Sequence, residues 1–140
     1  MRLMSARIWV IAALVLALLA SCTALPIPYL QGRSVYSENC ATCHGVSGYG
    51  DGPVALELAV TPTDLTQLTA NNGGVFPRNR VMSHIDGYLR EGDGSSIMPE
   101  FGTLMLGDNV LLETGEGVVT PTPRALVAVT NYIEQLQING

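Results

Sequence analysis

An all-α domain is the fold class this sequence predicts, on three patterns. Apolar residues recur at Leu126, Val129, Ile133 and Leu136, the 3.6-residue period of a helix with one buried stripe. Over residues 77–90, Val81, Met82, Ile85, Tyr88 and Leu89 gather on one side of a second helix. Gly32, Tyr36 and Cys40 follow one another at intervals of four, which places them on one face of a third. A small β-hairpin within Asn109 to Thr120 is the one exception to that class.

The chain has 140 residues, ordinary for one domain and too short for a multidomain enzyme or a polytopic membrane protein. Its seven basic side chains are all arginine, against 12 acids, for a formal net charge of −5. An acidic balance with no basic run excludes a protein that tracks nucleic-acid phosphates. Residues 1–21 read as a leader, 22–31 as a spacer and 32–140 as the domain.

The leader begins with Arg2 and Arg7, then an unbroken apolar run from Ile8 to Ala20. That run is shorter than the roughly 20 residues needed to span a bilayer core, and fits a secretory signal. Leu19-Ala20-Ser21-Cys22 resembles the lipobox of bacterial lipoproteins. The resemblance implies cleavage before Cys22 and acylation of its thiol and new amino group. An uncleaved anchor from Ile8 to Leu25 is the other reading. Both export the domain and tether it to a membrane, facing the periplasm or the cell exterior. Thr23, where an aspartate would retain a lipoprotein at the inner membrane, is compatible with transfer to the outer one. The spacer holds Pro26 and Pro28 and no charge; at ~3.1 Å per residue it reaches less than about 30 Å.

Cys40-Ala41-Thr42-Cys43-His44 is a C-x-x-C-H, the attachment signature of c-type haem. Thiols three residues apart share one side of a helical turn, so both can reach the vinyl groups of one haem edge, and His44 then points its imidazole at the iron. Zinc would need a second pair of soft ligands for a closed site. A thioredoxin-like dithiol would need a βαβ setting that is missing.

With the motif in place, residues 32 to about 137 resemble a small class I cytochrome c domain. The resemblance implies the cytochrome c fold, three to five helices around one covalently attached haem c. It implies that Gly32 and Tyr36 let the first helix cross the last one closely, with Tyr132 as the aromatic of that last helix. Thr122 and Pro123 suit its N-cap and first position. The glycine-rich stretch Gly45 to Gly52 is too turn-prone for regular structure, and in the family such a segment closes over the proximal haem face. A metal-bound imidazole donates its other N–H to an oxygen, and the resemblance gives that role to the Pro53 carbonyl. Pro53 then opens a short helix to about Leu58. Thr61 to Thr66 is either a loop bordering the haem propionates or a plain turn.

Met98, before Pro99 in the loop Ile97 to Gly102, resembles the axial methionine of the family. A thioether is soft and neutral and favours Fe(II). Met82 and Met105 read as core residues, and His84 as a solvated or packed one. Residues 103–121 depart from compact relatives. Val110-Leu111-Leu112 and Val118-Val119 around Thr114 to Gly117 suit a hairpin. That segment is either a tolerated surface insertion or an acidic docking element.

The function implied is a membrane-tethered one-electron carrier of an extracytoplasmic respiratory chain, not an enzyme, whose partners are redox proteins and, through its lipid anchor, the membrane. Two alternatives stay open: a fixed haem subunit of a larger respiratory or dehydrogenase complex, and a small-ligand sensor or peroxidase-like protein with a displaceable Met98.

Overall fold

The structure, a computed structural model, describes residues 27–88, 98–115 and 117–138. The leader, Cys22, the first part of the spacer and Ile97 lie outside these residues. Among the described residues are four α-helices and one two-stranded antiparallel sheet: α1 (Ile27–Asn39), α2 (Ala41–His44), α3 (Arg78–Asp86), β1 (Asn109–Gly115), β2 (Val118–Pro123) and α4 (Arg124–Gln135). The hairpin means that the fold is not strictly all-α. Three single 3-10 turns, Ala55–Glu57, Leu65–Gln67 and Ala70–Asn72, sit between α2 and α3. The first of these is all that forms of the short helix expected from Pro53. No described helix is long and apolar enough to cross a membrane.

Helix α1 includes residues 27–31 of the expected spacer. It crosses α4 at Gly32. A Cβ there would stand 2.2 Å from the Ala128 carbonyl oxygen, so only hydrogen fits. One turn on, the Tyr36 and Tyr132 rings meet at a centroid distance of 5.1 Å, tilted by 48°. Both are buried with Val129, Ile133 and Leu126 in one cluster that also takes in Val81, Met82 and Ile85 of α3 and Phe101 and Met105 beyond it. The stripe on α4 and the core placement of Met82 and Met105 therefore hold. An Arg78 guanidinium reaches Asn131 and Glu134, tying the start of α3 to α4.

Helix α3 ends at Asp86, earlier than the expected residue 90. Gly87 takes a left-handed φ of +103° and returns its N–H to the Ser83 carbonyl. The next orphan carbonyls, of Ile85 and Asp86, accept from the N–H groups of Phe101 and Gly102 at 2.9 and 3.2 Å. Tyr88 is consequently not part of the buried stripe and is 77% exposed.

Strand β1 pairs with β2 from Asn109↔Pro123 to Gly115↔Val118, with a register shift between Glu113 and Gly115. Val110, Leu112 and Thr114 are half-buried while Leu111 and Glu113 face outward, and Leu112 packs on the core. The expected N-cap of α4 is not formed. Thr122 is still in β2, its hydroxyl donates to the Thr120 carbonyl, and Pro123 occupies the cap position without a side-chain bond. The Arg124 N–H is instead satisfied by the Asp108 carbonyl at 2.8 Å.

Candidate functional site

Cys40 closes α1 and the next four residues make the single turn of α2. The amides of Cys43 and His44 both donate to the Cys40 carbonyl, at 3.2 and 2.9 Å. The two cysteines and the histidine are thereby placed on consecutive positions of one tight turn, as their spacing requires. Neither thiol is in a disulfide; Cys40 is buried and Cys43 half-buried. Burial pushes the Cys40 thiol up to about 12, with the neighbouring Cys43 adding to the effect.

The glycine-rich segment wraps the turn closely. Gly50 N–H donates to the His44 carbonyl at 2.9 Å and Gly52 N–H to the Cys43 carbonyl at 3.0 Å. At Gly52 a Cβ would meet the Thr42 oxygen at 2.3 Å and the Cys43 carbonyl carbon at 2.5 Å. Tyr36 secures the same turn from inside, its hydroxyl donating to the Gly45 carbonyl at 2.7 Å.

His44 is buried, and its Nδ1 lies 3.0 Å from the carbonyl oxygen of Thr63. A carbonyl can only accept, so Nδ1 carries the proton and Nε2 is left as the ligating nitrogen. Burial lowers the basicity of the ring, and the bond to Thr63 works in the opposite direction. The acceptor is therefore Thr63 and not Pro53, which corrects the expectation. Pro53 leads toward the Ala55–Glu57 turn, whereas the 61–66 loop folds back against the motif. The Pro62 carbonyl lies so close to Gly50 that a Cβ there would stand 2.3 Å from its oxygen. Leu65 N–H also donates to the Gly48 carbonyl at 2.7 Å. The loop thus orients the histidine, a role distinct from bordering propionates or simply turning the chain. In sequence, nothing marks one of its backbone carbonyls from another.

Met98 is half-buried and packs against the cluster that contains Cys40 and Phe101. Its segment is held three residues later, where Phe101 and Gly102 cap α3. Cys43 and His44 follow Cys40 on the same turn, and Met98 packs against the cluster that contains Cys40. As chemistry, two cysteines, a histidine with its Nδ1–H committed and a methionine fit a haem c, which Cys40, Cys43, His44 and Met98 would hold. His84 is exposed on α3. Cys22 lies outside the described residues.

The family model described as cytochrome c oxidase, cbb3-type, subunit III matches residues 28–111 of this chain. The match runs from α1 through the cysteine-histidine turn and the Met98 segment, and stops within β1. No curated protein matches the chain.

Proposed function

This chain belongs to the cytochrome c family of cbb3-type oxidase subunit III, an electron-transfer haem family, and from that premise we propose that it is a monohaem carrier tethered outside the cytoplasm by lipid on Cys22. The observation that carries the reading is the Cys40–His44 turn with its Nδ1–H already committed to Thr63. Cys40 and Cys43 would hold the porphyrin edge as thioethers, and His44 and Met98 would fill both axial positions. Bound there, the group supplies a one-electron ferrous–ferric couple. The chain's own contribution would be to orient the imidazole through Thr63 and to supply the Met98 thioether as a second iron ligand.

Two filled axial positions favour electron transfer over ligand chemistry. The ferric protein should therefore be low-spin and show a sulfur-to-iron charge-transfer band. Met98→Leu should abolish that band and lower the reduction potential; a parent protein already lacking the band would support a displaceable sixth ligand instead. A second reading, a haem subunit fixed in a larger complex, is favoured by the subunit described in the matching family. Solubilised membranes separate the two: comigration with other proteins at fixed stoichiometry supports the subunit, and recovery as a single chain supports the carrier.

A further inference from the structure

The Thr63 carbonyl is held in place by a clasp that starts at the far end of the chain. Leu65–Gln67 is one 3-10 turn, capped by Asp64, whose carboxylate accepts from the Thr66 N–H at 2.8 Å and its hydroxyl at 2.6 Å. A single turn of this kind has little stability of its own. Gly48 holds it on the motif side through the Leu65 N–H. On the other side stands Gln137, just past α4. Its Nε2 donates to the Leu65 carbonyl at 2.6 Å and to the Ile133 carbonyl at 2.9 Å. Its Oε1 accepts from the Thr69 N–H at 2.9 Å, and Ile138 N–H adds a bond to the Thr66 carbonyl at 3.0 Å. One half-buried amide thus bonds both ends of the Leu65–Thr69 stretch and fastens it to the C-terminal helix.

We propose that Gln137 is a positioning residue for the haem ligand: by fastening Leu65 and Thr69 to α4 it holds the Thr63 carbonyl on His44 Nδ1–H and so lowers the reduction potential. The inference rests on His44 being the axial ligand. A carbonyl that accepts from Nδ1–H makes the imidazole a more basic ligand, and a more basic ligand favours the ferric state. Hydrogen bonds weaken steeply as their angle and distance degrade. Slack in the 63–69 segment therefore weakens the bond to His44 and raises the potential.

The test uses the full haem-loaded chain and Gln137→Met, which keeps the length of the side chain and loses all three bonds. Asn79→Ala is the control, since it removes only a bond to the Thr114 carbonyl of the hairpin. Gln137→Met should exchange the Thr69 amide hydrogen about tenfold faster, the loss of roughly one hydrogen bond, and shift the midpoint potential upward. Asn79→Ala should leave both where they are. Gln137→Asn, one carbon too short to serve Leu65 and Thr69 together, should move the potential less and in the same direction, and it serves where the Met variant does not fold. Unchanged Thr69 exchange, or faster exchange with an unmoved potential in either Gln137 variant, overturns the role. A colourless parent chain overturns the haem reading and this inference with it; coloured variants with the parent's potential overturn only the role of Gln137.

Discussion

Tyr36 joins the core to the chemistry: its ring packs on Tyr132 and its hydroxyl holds the Gly45 carbonyl beside His44. Burial, with smaller contributions from Cys40, Tyr132 and Asp51, raises its ionisation well above the usual tyrosine value near 10. The unfolded chain releases this proton first, so its contribution to stability is complete below about pH 10 and is lost as pH rises beyond it. Denaturant titrations should show stability falling above pH 10 in the parent and falling less steeply in Tyr36→Phe, which at neutral pH should be about 1 kcal/mol less stable for want of one hydrogen bond. Gly32→Ala should cost more, about 1–3 kcal/mol, because its methyl group would collide with backbone and not with a movable side chain. Matching urea melts check both values. At this scale the sequence disclosed side chains and concealed carbonyls. Cys40, Cys43 and His44 are legible because their chemistry lies in the side chain. Thr63 acts through a backbone oxygen that every residue possesses, so only the path of the chain could distinguish it from Pro53.

Elements were legible where an apolar period ran uninterrupted, and their ends were not. The stripe on α4 appears as expected, yet its start shifted because Thr122 belongs to a strand. The end of α3 was set by Phe101 and Gly102, partners distant in sequence that accept no reading from local pattern. Two prolines and no charge make the spacer a short, semi-stiff link, yet its residues 27–31 are helical. The hairpin was visible as two apolar runs around a glycine-rich turn, and its alternating burial shows why it tolerates a position on the surface. Only its inner row, Leu112 above all, touches the core. Replacing the tip, Gly115 to Val118, by a two-residue Asn-Gly turn should leave the unfolding free energy from urea melts within about 0.5 kcal/mol of the parent, while Leu112→Ala should cost about 1–2 kcal/mol, below the full core value because the site is half-buried. Electron-transfer rates to the native partner measured on the tip variant separate a surface insertion, which leaves them unchanged, from a docking element, which does not.

For the molecule as a whole, the chain is acidic and without a lysine. The expected partner surface is a basic patch, in which case transfer rates should fall as salt is added; rates that rise with salt would contradict this. A lipid on Cys22 would add confinement, raising the effective concentration of partners in the same membrane. The electron-transfer reading depends on one claim, that Cys40 and Cys43 bind an iron porphyrin covalently with His44 against the metal. The most direct test is to mature the full chain in a host with haem-attachment machinery, extract it with acidified acetone and record the absorbance of both fractions. The account predicts that the pigment stays with the polypeptide, and that Cys40→Ser with Cys43→Ser releases it; a parent chain that is colourless, or that gives up its pigment to the solvent, would contradict the account.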